Sequence, residues 1–189
     1  MELLKQKILA EGRALNEHVL LVDSFLNHQV DPELMQAVGN EFAARFADAG
    51  VTRVATIESS GIAPAVMTAL KLNVPMVILK KSVSAILSEG ILQTEVFSFT
   101  KNTAYQLTLK SKFIQPGEKV LLIDDFLANG EAAFGGIRLI EKAGAEVVGV
   151  GAVIAKAFQP GMQKLRDAGY RVEALAPVSR MAENLIEFE

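Results

Sequence analysis

Residues 120–136 read VLLIDDFLANGEAAFGG, and the fold follows from this stretch. It opens on a short run of valine, leucine and isoleucine, too brief for a helix, that leads to adjacent carboxylates at Asp124 and Asp125. Phe126, Leu127, Ala128, Asn129 and Gly130 then pass into a helix-forming segment that begins at Glu131. A buried strand, a polar strand tip, a tight turn and a helix start come in that order, as in a βα unit of a parallel sheet. Free N–H groups at a helix start suit a phosphate, and two acids at a strand's carboxyl end suit sugar hydroxyls or a divalent cation. Together they fit a phosphorylated sugar.

The surrounding sequence alternates in the same way. Strands are expected over 53–58, 76–80, 120–124, 147–154 and 171–175, and helices over 64–72, 131–143 and 162–168. Strands that are apolar on both faces belong in a mainly parallel sheet flanked by helices, so the fold class is α/β. An antiparallel hairpin is expected over 94–109, where VFSFT and YQLTL flank Lys101, Asn102 and Thr103. Upstream, Leu3, Leu4, Ile8 and Leu9 lie on one face of a short helix that Gly12 ends. Asp31 followed by Pro32 reads as an N-cap with proline at N1, and Leu34, Met35, Val38, Phe42 and Phe46 recur at helical spacing until Gly50. Between these two helices the chain is too polar for a core helix and too hydrophobic for a linker, so it reads as an embellishment packed over something. One domain is expected, with a hood at about 1–50 and a core at about 51–189.

Composition narrows the function. With 189 residues, half of them apolar, the chain can bury a substantial core. It has no cysteine and two histidines, which excludes thiol chemistry and argues against a histidine-based zinc site. A net charge of −3 without a basic block argues against nucleic acid as partner. No apolar run approaches a membrane span and the first residues carry acids, so a cytoplasmic location is expected.

Two further features place chemistry at the strand ends. Glu58-Ser59-Ser60-Gly61-Ile62-Ala63-Pro64 follows a strand and precedes a helix, a second point where backbone amides can converge on an anion. Alone it is an ordinary glycine-containing turn. Lys156 follows the strand over 147–154, and a parallel sheet would deliver it to the same edge as Asp125 and Gly61. Alone it is a solvated charge. Residues 82–95, SVSAILSEGILQTE, have no clear period and the length of a lid.

The stretch 120–136 resembles the phosphoribosyl diphosphate (PRPP) motif of the type I phosphoribosyltransferases. The likeness runs along nearly the whole chain and is to the purine branch of that family, through LLVDSFLNHQVDPELM at 20–35, TIESSGIAPAVMTALKLNVP at 56–75, IDDFLANGEAA at 123–133 and FQPG at 158–161. The resemblance implies a type I phosphoribosyltransferase fold and a purine-salvage activity. Asp124 and Asp125 would hold the ribose as the catalytic acids, Ala128, Asn129, Gly130, Glu131 and Ala132 would bind PRPP at its 5′-phosphate, and Ser59, Ser60 and Gly61 would grip pyrophosphate. Leu20, Asn27 and Lys156 would bind the base, expected to be xanthine, beneath the hood. Mg²⁺ would arrive on PRPP with no protein ligand of its own, the lid over 82–95 would close over PRPP, and two chains would pair as a homodimer. Lys80 and Lys81, at the base of that lid, would meet the diphosphate.

Asn129 and Ala132 replace hydroxyl residues common in the family, which shifts phosphate binding toward backbone amides. Ala128 stands where hypoxanthine-guanine enzymes carry an acid, which removes an obvious general base and favours an acidic purine. The alternatives are a transferase for another purine such as adenine, a receiver domain, or a PRPP-sensing gene regulator. A receiver places its acid pair after the first strand, whereas two strands and a hairpin precede this one. The regulators carry an additional DNA-binding domain, for which residues 1–50 leave no room.

Overall fold

A computed structural model of the chain describes residues 1–81, 90–98 and 103–189. Helix α1 (Glu2–Glu11) leads into a two-stranded ribbon of β1 (Arg13–Ala14) and β2 (Leu20–Leu21), then a π-helical turn at Asp23–Asn27. Of the apolar face expected on α1, only Leu4 and Ile8 are buried, while Leu3 and Leu9 are 52% and 58% exposed. One pair at i and i+4 meets the core; the flanking leucines lie beyond the edge of that narrow stripe. Helix α2 (Pro32–Arg45) starts as expected, with the Asp31 carboxylate accepting from the Leu34 amide at 3.0 Å. It ends at Arg45 rather than Gly50, and irregular turns cover the remainder.

The core follows as β3 (Arg53–Ile57), α3 (Ile62–Leu72), β4 (Met76–Leu79), the hairpin strands β5 (Ile91–Ser98) and β6 (Thr103–Lys110), β7 (Lys119–Leu127), α4 (Glu131–Lys142), β8 (Glu146–Lys156), α5 (Gly161–Asp167), β9 (Val172–Ala182) and β10 (Leu185–Phe188). Six strands form one sheet in the order β10-β9-β8-β7-β3-β4. All neighbours pair in parallel except β10, which runs antiparallel to β9.

Several strands run further than their sequence predicts. Strand β7 does not stop at Asp124: pairing with β8 continues through Phe126 opposite Ile154 and Leu127 opposite Ala155, so the two acids lie within the paired strand and not at its tip. Strand β8 likewise includes Lys156, which pairs with Val178. The tail does not end at residue 175, because β9 extends to Ala182 and turns at Asn184, φ 55°, into β10. Of the expected lid, residues 91–95 belong to β5, while residues 82–89 lie outside the described residues.

Alternation along β7 divides the core into two layers. Leu121 and Ile123 face α2, α3 and the hood residues Phe25 and Leu26. Val120 and Leu122 face α4, α5 and the hairpin, and share one buried cluster with Val96, Leu107, Ile137 and Ile140. On β8, a Cβ at Gly149 would lie 2.2 Å from the Phe46 ring, so glycine is what lets α2 settle onto the sheet. At the far edge, Leu4 and Ile8 of α1 share the first layer with Leu175 and Met181 of β9.

Candidate active site

The sheet changes direction between β3 and β7. From β3 the chain steps out to β4, and from β7 it steps the other way to β8, which opens a crevice at the carboxyl ends of this central pair. The two turns singled out in the sequence leave from those ends. Gly61 is buried against β7: a Cβ there would lie 3.2 Å from Asp124 Oδ1 and 2.3 Å from Thr56 Oγ1. Only glycine lets the turn after β3 approach the acid this closely. Ser59 is exposed and Ser60 half-buried on the same turn, and Glu58 ties its start to the next strand by accepting from the Lys81 amide and pairing with Lys80 at 3.3 Å.

Asp124 continues the face of Val120 and Leu122 and looks toward the hairpin, into a cavity of about 410 Å³. Its carboxyl is pushed well above the ordinary carboxylate range, by burial first and by the neighbouring Asp125 carboxylate second. Lys81, on the same cavity wall, acts in the opposite sense. Asp125 falls on the other face of the strand by alternation, its amide donating to Asp124 Oδ1 at 3.0 Å. One acid therefore serves the cavity and the other the side of α3 and the hood.

Ala128, Asn129, Gly130, Glu131 and Ala132 all line the cavity that Asp124 enters. Gly130 is the N-cap of α4 at φ 89°, a left-handed conformation that closes the turn and makes a β-branched residue there costly. The first amides of α4 have no carbonyl behind them within the helix, and together with the positive end of its dipole they favour an anion in the cavity.

The base-binding candidates lie apart from this cavity wall. Lys156 ends β8 and its ammonium donates to the His18 carbonyl in the loop between β1 and β2, which pins the hood to the sheet edge. Burial lowers the lysine's pKa. The same ammonium stands 5.8 Å from the centre of the Phe126 ring, and Phe126 also lines the cavity, so this ring joins the two regions. Leu20 is buried within the first core layer, whereas Asn27 is exposed at the end of the π-helical turn.

Three residues without an assigned role in the sequence reading stand at the site. Tyr105 of β6 lines the cavity with Lys81, whose ammonium is 5.5 Å from its ring. Burial and then the Asp124 charge raise the tyrosine's pKa. Nothing local in YQLTL signals this, because the hairpin reaches the site only through tertiary packing. Phe126 had a visible signal, an aromatic directly after the acid pair. Thr56, fully buried with its hydroxyl unpartnered, lies under Gly61 and has none.

Residues 31–171 match the family described as phosphoribosyl transferase domain. A xanthine phosphoribosyltransferase from Clostridium acetobutylicum is 56% identical over 188 residues, with 100% of each chain covered. Another from Acinetobacter baumannii is 54% identical over 100% of this chain and 98% of its own. Among solved structures, adenine phosphoribosyltransferase from Trypanosoma brucei, in complex with AMP, pyrophosphate and ribose-5-phosphate, aligns with a TM-score of 0.77 over 91% of this chain and 78% of that one. At 22% identity that likeness speaks for the fold. A family match across most of the chain and full-length relatives sharing more than half its residues lead to one conclusion: the chain belongs to the phosphoribosyltransferase family.

Proposed function

We propose that this chain transfers the 5-phosphoribosyl group of PRPP to xanthine, giving xanthosine 5′-monophosphate (XMP) and pyrophosphate in purine salvage. The observation that carries the reading is the meeting of two strand-to-helix turns at one crevice, with Gly61 against Asp124 and residues 128–132 beside it. The choice of xanthine rests on the names of the full-length relatives.

In this reading the helix α4 start takes the 5′-phosphate on backbone amides, and the turn at Ser59, Ser60 and Gly61 takes the diphosphate. Asp124 and Asp125, on opposite faces of one strand, grip the ribose hydroxyls from two sides. Two adjacent acids, with the Asp124 pKa raised by burial and by the Asp125 carboxylate, gain from a positive charge beside them, which suits both a ribosyl centre that becomes cationic as the glycosidic bond loosens and the Mg²⁺ that travels on PRPP. That ion neutralises the departing diphosphate when bound. Lys156 donates to a purine carbonyl, Leu20 packs on the ring and Asn27 reads its edge. With alanine at position 128 no carboxylate serves as general base there, so the acceptor brings its own anionic character.

The functional unit in this proposal is a single domain of residues 1–189, hood over core, acting in the cytoplasm as a homodimer. Val66 and Leu70, one turn apart on α3 and 43% and 73% exposed, support a paired surface. Among the described residues no helix is long and apolar enough to cross a membrane. The deciding experiment is PRPP-dependent pyrophosphate release with xanthine, hypoxanthine, guanine and adenine. Preference for xanthine supports the reading, and release driven best by adenine would replace it with an adenine activity.

A further inference from the structure

We infer that Gly161, in the FQPG segment after β8, is a positioning residue that holds the 5′-phosphate loop in its binding shape. The inference rests on the reading of residues 128–132 as the phosphate grip. The Gly161 amide donates to the Ala128 carbonyl at 3.0 Å. Residues 128 and 129 are joined by a trans peptide, in which C=O and N–H point in opposite directions. Fixing the Ala128 carbonyl outward, toward α5, therefore aims the Asn129 amide the other way, to the side where residues 128–133 line the cavity.

The contact extends over three consecutive loop residues. A Cβ on Gly161 would lie 2.2 Å from the Ala128 oxygen, 2.8 Å from the Gly130 nitrogen and 2.9 Å from the Asn129 carbonyl carbon. All three are backbone atoms, so no rotamer change relieves the clash and the loop itself must move. From the other side, a Cβ on Gly130 would lie 3.2 Å from the Gly161 Cα. The brace is anchored in turn to the sheet edge, because the Gln159 amide donates to the Lys156 carbonyl at 2.8 Å. One short turn thus spans the proposed base contact and the proposed phosphate contact.

The test compares Gly161→Ala and Gly130→Val in the full-length enzyme by calorimetry with XMP, ribose 5-phosphate and pyrophosphate. In Gly161→Ala, affinity for the two 5′-phosphate ligands falls roughly tenfold or more, as expected for misaimed hydrogen bonds to an anion, while pyrophosphate binds as in wild type. Retained XMP affinity in Gly161→Ala alongside its loss in Gly130→Val would overturn the brace and leave the loop reading intact. Retained affinity in both would overturn the two together. If Gly161→Ala fails to fold or loses pyrophosphate binding as well, amide NMR of the wild-type enzyme decides. Slow exchange at the Gly161 amide, with an Asn129 amide resonance that moves on adding ribose 5-phosphate, upholds the role; an unmoved Asn129 resonance refutes it.

Discussion

Asp124 stores an electrostatic burden that the ligand-free protein bears in its fold. Because its folded pKa lies above the unfolded value near 4, the native state binds this proton more tightly than the unfolded chain does. The stabilising contribution is complete below the unfolded pKa and is lost as pH rises through the folded one. Asp124→Asn removes the ionisation, so its melting temperature without ligands is expected to exceed that of wild type at pH 7 to 8 and to converge with it near pH 4. Turnover should be lost in the same variant. Thermal scans across pH and a pyrophosphate-release assay measure the two effects, and an unchanged melting profile would mean that Asp124 is already relieved. Lys156 makes the complementary case. Lys156→Ala is expected to lower kcat/KM for xanthine by roughly 10- to 100-fold, about 1.5–3 kcal/mol for a lost charge-assisted hydrogen bond, while KM for PRPP hardly changes. Equal losses for both substrates would assign the lysine to hood packing, through its bond to the His18 carbonyl.

At the scale of elements, legibility followed the range of the forces involved. Helix α2 was readable because its cap and its apolar spacing are local, and Asp31→Ala should cost about 1 kcal/mol in urea unfolding without changing the order of preference among bases. A larger loss would point to the Asp31 pairing with Lys7 at 3.1 Å as a second contribution. The βα order and both strand-to-helix turns of the crevice were readable for the same reason, since glycine, acids and apolar runs sit next to one another in sequence. Strand ends were not. Phe126 and Leu127 extend β7 because β8 lies alongside them, and β10 forms because β9 offers it an edge. The approach of Tyr105 to Asp124 and the contact of Gly161 with residues 128–130 likewise depend on elements distant in sequence. The acid pair was legible, but its division between two faces needed the strand to run on past it.

At the scale of the whole molecule, the surface that receives α1 comes from the far end of the chain. The first-residue ammonium donates to the Leu175 carbonyl at 2.6 Å, and Leu4 and Ile8 complete their burial beside Leu175 and Met181. Contacts of such sequence separation form slowly, because a large loop must close before they stabilise anything. Pulsed hydrogen exchange during refolding should show the amides of α2 protected before those of α1; simultaneous protection would mean that α1 docks first on α2 alone. The closure of α1 onto β9 also has a meaning for synthesis. A ribosome makes the helix well before the strand that shelters it, so until residues 172–182 have emerged Leu4 and Ile8 have no finished core to enter. The N-terminal packing is thereby completed only after β9 has been made, and a nascent chain has reason to need a chaperone that shields its first helix until then.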